Sequence, residues 1–177
     1  MKTDAVSLLK ADHKKVKALF TQFESAEGRR EKKKIVAEAL LELKLHAAIE
    51  EEIFYAAVRR TVGKELMNEA DEEHHVAKVL IAELENMDGR ESHYDAKFTV
   101  LAENVRHHIK EEESEMLPKA QTMKLNFEKL GAQMAERKQQ LLDSGFPPVG
   151  EETMVAASGG EGDSPARIAD QTGAARG

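Results

Sequence analysis

The sequence contains no cysteine among its 177 residues. This absence excludes disulfide bonds, thiolate zinc sites, iron–sulfur clusters and a cysteine nucleophile, and it fits a reducing cytoplasm, which is the expected location. No apolar run approaches the roughly 18 residues that a membrane-spanning helix needs. The N-terminus also lacks the apolar stretch of a signal peptide, so no membrane partner is expected.

Positive charge is in deficit, with 26 lysines and arginines against 33 aspartates and glutamates and a formal net charge of −7. Binding to a phosphate backbone requires a basic patch. The densest basic stretch, GRREKKK at residues 28–34, is predicted to be a solvated loop leading into a helix. Glycine-rich phosphate loops and nucleophile elbows are also missing, and no nucleic-acid partner is expected.

Proline is absent before Pro118, and apolar residues recur at spacings of three and four between residues 2 and 143. This periodicity is typical of amphipathic helices, which we predict over 4–26, 29–60, 64–87 and 92–117. A break near the end of the second is left open, and the fourth is predicted to stop at Pro118. A fifth helical pattern covers 122–143. The predicted fold is all-α: an up-down-up-down four-helix bundle with an additional C-terminal helix.

The composition changes after residue 143. Residues 144–177 are rich in Gly, Ser, Pro and Ala and have few large apolar side chains. Such a segment cannot bury enough surface to offset its ordering entropy, so we predict a disordered tail. The predicted organisation is one helical domain over 1–143 followed by this tail over 144–177.

Each predicted bundle helix carries polar residues in its apolar stripe. In the second helix the stripe runs through Val36, Ala39, Leu43, His46, Glu50, Ile53 and Ala57. His74 and His108 lie on apolar stripes, whereas their neighbours His75 and His107 lie on poorer core faces and are predicted at the surface. The residues predicted to point inward are His13, His46, Glu50, His74, His108 and Glu112.

The second and fourth helices repeat each other at these positions. HAAIEEEIFY and HIKEEESEML each have a histidine and a glutamate four residues later, which are neighbours on a helix surface. As free ions these groups are costly to bury, but bound to cations they neutralise one another. The alternative is a purely structural bundle whose histidines hydrogen-bond to one another.

Imidazole and carboxylate ligands without sulfur suit iron, manganese or zinc. Six ligands are too many for one tetrahedral zinc ion, and two carboxylates are well suited to bridging two metals. We therefore predict a dinuclear site, with iron favoured over manganese or zinc.

At these residues the chain resembles the hemerythrin-like family, also called HHE cation-binding domains. LLKADHKKVKALFTQFE, HAAIEEEIFY, EEHHVAKVLIAEL and HHIKEEESEMLPKA are similar to the family's four motifs in order and spacing. The resemblance implies a four-helix bundle with a non-haem di-iron centre, typically oxo- or hydroxo-bridged, that reacts with dioxygen, hydrogen peroxide or nitric oxide. It further implies that the four inward histidines are terminal ligands and that Glu50 and Glu112 are bridging carboxylates.

One position departs from the oxygen-carrying members of that family. They have a histidine four residues after the ligand of the third helix, and this chain has Lys78. The missing ligand favours redox turnover or sensing over reversible oxygen storage, unless another oxygen ligand such as Tyr55, Tyr94 or Glu51 takes its place. The glutamates of the motifs outside the ligand set are predicted to form mainly a solvated face, with hydrogen bonds to the ligand histidines as the lesser alternative: Glu51, Glu52, Glu111, Glu113 and Glu115. Asp12 and Glu73 are better candidates for hydrogen bonds to the ligand histidines.

The expected function is that of a di-iron protein that binds or reacts with small oxidants in an oxidative-stress response, with catalase-like peroxide turnover as its enzymatic form. The alternative is a non-enzymatic sensor of iron, oxygen or nitric oxide, or an iron-handling protein. The only expected partners are small oxidant ligands, and the expected state is a monomer or a weak homodimer.

Overall fold

The structure is a computed structural model that describes residues 4–146. Within this range the chain forms five helices and no strands, which confirms the all-α prediction for this part of the chain. The predicted disordered tail lies outside the described residues from position 147 onward. The helices are α1 (Ala5–Ser25), α2 (29–62), α3 (Lys64–Glu85), α4 (94–121) and α5 (Phe127–Ser144).

Two of these helices contain a π-helical turn. In α2 the turn covers Glu50–Phe54, between the α-helical segments Arg29–Ile49 and Tyr55–Val62. In α4 it covers Glu112–Met116, between Tyr94–Glu111 and Leu117–Gln121. The N–H groups of Tyr55 and Leu117 bond to the carbonyls of Glu50 and Glu112, five residues back. The possible break near the end of the second predicted helix is therefore a widened turn inside a continuous helix.

The prediction that the fourth helix stops at Pro118 is wrong, because α4 continues to Gln121. Proline normally interrupts a helix since it lacks the N–H that bonds to the preceding turn and its ring crowds a carbonyl there. Pro118 directly follows Leu117, whose N–H closes the π-helical turn. After this point the backbone N–H groups bond to carbonyls four residues back instead of five. Pro118 is also the second residue of the α-helical segment Leu117–Gln121, and the first turn of an α-helical segment tolerates proline.

The helix ends show ordinary capping. The Asp4 carboxylate accepts a hydrogen bond from the Ser7 N–H at 3.0 Å and caps α1. Only Gly63 separates α2 from α3, and its φ of +108° is a backbone conformation that favours glycine. The predicted fifth helix begins later than expected, because the Asn126 side chain caps α5 by accepting from the Lys129 N–H at 2.9 Å.

The first four helices pack as a bundle in which α1 contacts α2 and α3 contacts α4, and α5 packs against α1 and α2. This arrangement confirms the predicted four-helix bundle with an additional helix. Among the described residues, no helix combines the length and the apolar character needed to cross a membrane.

The bundle interior has two apolar clusters. One is built around Phe20, Phe23 and Phe98, and the other around Phe54, Tyr55 and Met67. Along α1, Leu9 belongs to the second cluster and Val16 to the first, and His13 lies between them. The four inward histidines and two glutamates occupy this intermediate level, and we call them the His/Glu layer: His13, His46, Glu50, His74, His108 and Glu112.

Candidate metal centre

All six residues of the His/Glu layer are buried, and none exposes more than 6 % of its surface. Their side chains form two groups whose nitrogen and oxygen atoms lie within 4.8 Å of one another. The four-donor group contains His13, His46, Glu50 and Glu112, and the three-donor group contains Glu50, His74 and His108. The structure therefore brings together all six residues that the sequence singled out.

Each glutamate of the layer lies between histidines from two helices. The Glu50 Oε2 atom is 3.0 Å from the His46 Nε2 atom and 3.5 Å from the His74 Nε2 atom. The Glu112 Oε2 atom is 3.1 Å from the His13 Nε2 atom and 3.6 Å from the His108 Nε2 atom. A carboxylate in this position can contact a cation on either side of it. The Nε2 atoms of His74 and His108 are themselves 3.0 Å apart.

The π-helical turns explain which residues of α2 and α4 face inward beyond the layer glutamates. Each turn begins at a layer glutamate and contains one residue more than an α-helical turn. The residue five positions after the glutamate, Tyr55 in α2 and Leu117 in α4, therefore faces inward again. Regular α-helical spacing from Glu50 predicted Ile53 and Ala57 as inward residues, but both are only partly buried. The fully buried residues after Glu50 are Phe54, Tyr55 and Val58.

Tyr55 is the tyrosine that reaches the layer. Its hydroxyl donates a hydrogen bond to the Glu112 Oε1 atom at 2.8 Å and lies 3.3 and 3.4 Å from the Nε2 atoms of His74 and His108. Burial, followed by the charges of Glu50 and Glu112, raises the pKa of Tyr55 well above its ordinary value. Tyr94, the other tyrosine considered from the sequence, packs in the Phe98 cluster instead.

The outer nitrogen of each layer histidine faces a carboxylate. The Nδ1 atoms of His13, His74 and His108 lie 2.9, 2.7 and 2.7 Å from carboxylate oxygens, and that of His46 lies at 3.7 Å. The three short contacts are of the kind that orients a metal-binding imidazole and turns its Nε2 atom inward. We call these acids the four outer carboxylates: Glu113 beside His13, Asp12 beside His46, Glu51 beside His74 and Glu73 beside His108.

Lysines neutralise three of the outer carboxylates. Lys138 lies 2.7 Å from Asp12, Lys78 lies 2.6 Å from Glu51, and Lys17 lies 3.4 Å from Glu113. Burial raises the pKa of Asp12 and of Glu51, but their histidine and lysine partners lower each pKa below its ordinary value. Lys78, which replaces the extra histidine of the oxygen carriers, therefore binds an outer carboxylate.

The charges of the layer are strongly linked. Burial lowers the pKa of His46, but the adjacent Glu50 carboxylate outweighs burial and raises that pKa to about 10. Burial also lowers the pKa of His74, whereas Glu50 and Glu51 raise it to about 9. Burial raises the pKa of Glu50, and the two imidazoles bring that pKa well below its ordinary value. Protonated imidazoles thus balance Glu50 when no cation does.

Several buried atoms of the layer lack a partner in hydrogen-bond geometry among the described residues, although some of them lie close to one another: Nε2 of His13, both nitrogens of His46, both oxygens of Glu50, and Oε2 of Glu112. Buried polar atoms are costly unless they are paired. All of these atoms belong to residue types that bind iron, manganese or zinc. The arrangement therefore fits two cations that share carboxylates.

The sequence prediction of the outer carboxylates was partly wrong. Asp12 and Glu73 lie beside layer histidines as expected. Glu51 and Glu113 do so as well, although a solvated face was the favoured prediction for both and Glu51 was also considered as a metal ligand. Both directly follow a layer glutamate. The available signal was that both repeated motifs have a glutamate five residues after the histidine.

Comparisons with known proteins agree with this picture. The family described as hemerythrin HHE cation binding domain matches residues 4–120. A crystal structure of a hemerythrin HHE cation binding domain-containing protein from Mycobacterium kansasii, described as an Rv2633c homolog, is similar with a TM-score of 0.66 and 25 % sequence identity. The similarity covers 81 % of this chain and 94 % of that chain. No curated protein matches the sequence.

Proposed function

Because the chain belongs to the hemerythrin HHE cation-binding domain family, we propose that its His/Glu layer holds two iron ions and that the protein binds or reacts with small oxidants. The oxidants are dioxygen, hydrogen peroxide and nitric oxide, and the proposed setting is an oxidative-stress response in the cytoplasm. The observation that carries the proposal is the pair of buried donor groups that share Glu50.

The two donor groups differ in their number of protein ligands, and we assign a different role to the ion in each. The four-donor group, with His13, His46 and both layer glutamates, would hold one ion more completely than the three-donor group holds the other. Two bound iron ions would supply a change of oxidation state and coordination positions for small ligands. The three-donor group, with fewer protein ligands, is the proposed place where an oxidant binds.

Tyr55 would act beside the three-donor group. Its hydroxyl lies within 3.4 Å of both histidine Nε2 atoms there and carries a proton that it donates to Glu112. A phenol at this position can donate a hydrogen bond to a small oxidant, and Glu112 can accept or return a proton. Tyr55 is buried in an apolar cluster, and hydrogen bonds are stronger in such low-dielectric surroundings.

The metal content is tested by loading the purified protein with Fe(II) without oxygen and counting iron per chain. We expect two ions in the wild type and fewer in Glu50→Gln, because Glu50 belongs to both donor groups. Glu52→Gln is the matched control, since Glu52 lies in the same π-helical turn but is exposed and pairs with Arg137. A wild-type protein that binds no iron, or equal loading in both variants, would contradict the proposal.

The reactivity is tested on the iron-loaded protein by its visible absorption spectrum before and after addition of peroxide, dioxygen or nitric oxide. Oxygen evolution from peroxide that is lost in Glu50→Gln would support catalase-like turnover. A spectral change without turnover would support sensing or carrying. No spectral response to any of the three would refute the proposed reactivity.

A further inference from the structure

The fourth outer carboxylate differs from the other three. Asp12, Glu51 and Glu113 each contact a lysine, whereas no lysine or arginine among the described residues lies within 4.0 Å of Glu73. The Glu73 Oε2 atom bonds to the His108 Nδ1 atom at 2.7 Å. Its other oxygen faces His107, whose Nε2 atom lies 3.6 Å away.

A second glutamate completes this cluster. The Glu111 Oε1 atom lies 3.2 Å from the His107 Nε2 atom, one helical turn further along α4. Glu111 also has no lysine or arginine partner within 4.0 Å in the described part of the chain. One atom from each of Glu73, His107 and Glu111 lies within 4.8 Å of the other two. Two carboxylates therefore lie beside one imidazole in this cluster. The other three outer carboxylates each lie beside a lysine ammonium group instead.

We propose that Glu73, His107 and Glu111 form an outer site for a divalent cation, separate from the His/Glu layer. The cation would provide the positive charge that lysines provide at the other three outer carboxylates. Imidazole with carboxylates suits Fe(II), Mn(II) or Zn(II), with water as the remaining ligands. The imidazole of His107 is 59 % exposed, so a cation reaches it from solvent without any rearrangement of the bundle.

Glu73 links this outer site to the interior. One of its oxygens faces His107 and the other holds His108 of the three-donor group. A cation at the outer site therefore lies one carboxylate away from a layer histidine. On the basis of the proposed function, the outer site is a loading position from which cations enter the layer.

Mn(II) is a suitable probe, because its EPR signal measures the free ion directly. The protein is first loaded with iron, weakly held iron is removed by brief chelation and desalting, the buried iron is counted, and Mn(II) is then titrated. We expect one additional Mn(II) per chain in the wild type and at least about tenfold weaker binding in His107→Ala and Glu111→Gln, since each variant loses one of three ligand side chains. His75→Ala is the matched control, because His75 is an exposed histidine next to a layer histidine.

Equal Mn(II) binding in the wild type and His107→Ala would overturn the proposal of an outer site. An absence of Mn(II) binding in the wild type would do the same. The iron count tests the layer separately. If iron does not load, the difference in Mn(II) bound between wild type and His107→Ala still reports the outer site alone. The loading role predicts several-fold slower Fe(II) uptake in His107→Ala with an unchanged final iron content, and an unchanged rate would refute that role.

Discussion

At the scale of single residues, Tyr55 and Tyr94 are both buried but have different surroundings. The Tyr55 hydroxyl donates to the Glu112 carboxylate at 2.8 Å. The Tyr94 ring lies in the Phe98 cluster, and no hydrogen bond of its hydroxyl is found among the described residues. The hydrogen bond of Tyr55 therefore holds a charged, buried acceptor in place, and Tyr94 contributes packing.

We expect Tyr55→Phe to lower the free energy of unfolding of the metal-free protein by about 1–3 kcal/mol, because it leaves a buried carboxylate oxygen without its donor. Tyr94→Phe is the matched control and should change it by less than about 0.5 kcal/mol. Urea denaturation followed by circular dichroism measures both. Equal effects of the two substitutions would show that the hydroxyl of Tyr55 does not support Glu112.

Single residues also show which parts of the candidate site the sequence alone could predict. A histidine in an apolar stripe with a glutamate four residues later was sufficient to find the six layer residues, because ordinary α-helical geometry holds up to Glu50 and Glu112. Tyr55 remained one of several options, because its inward position depends on the extra residue of a π-helical turn. Glu51 and Glu113 were misassigned for a related reason: a run of three glutamates does not show which member reaches a histidine on another helix.

At the scale of elements, the π-helical turns of α2 and α4 have the same structural role. Each begins at a layer glutamate, and each is closed by a buried residue, Tyr55 or Leu117. The widened turn keeps the helix continuous while it changes which residues face inward. Sequence periodicity predicted the long helices and their order, but it assumes one constant spacing and therefore missed this change of phase and the continuation through Pro118.

Pro118 provides a test of this interpretation. We expect Pro118→Ala to change the free energy of unfolding by less than about 1 kcal/mol, because Pro118 lies in the first turn of the α-helical segment Leu117–Gln121. Glu103→Pro, at an exposed position in the regular part of α4, should cost about 3 kcal/mol or more. Chemical denaturation measures both variants. A stabilisation of about 2–3 kcal/mol by Pro118→Ala would mean that the proline strains the helix.

At the scale of the whole molecule, the His/Glu layer joins all four bundle helices between two apolar clusters. His13 and Glu112, which are close in space, come from opposite ends of the bundle sequence. Cations bound in the layer would connect α1, α2, α3 and α4 at one level. Since such a site does not exist in the unfolded chain, the free energy of cation binding adds to the stability of the fold.

Removal of metal should therefore lower the thermal stability. At a free metal concentration about 100 times the dissociation constant, each site contributes about 2.7 kcal/mol. For a protein of this size that corresponds to a decrease in Tm of about 5–10 °C per ion on chelation. Differential scanning calorimetry of iron-loaded and chelated protein measures the decrease, and Glu50→Gln should show a much smaller one because Glu50 belongs to both donor groups. The same Tm with and without iron would mean that the layer does not bind cations in the folded bundle.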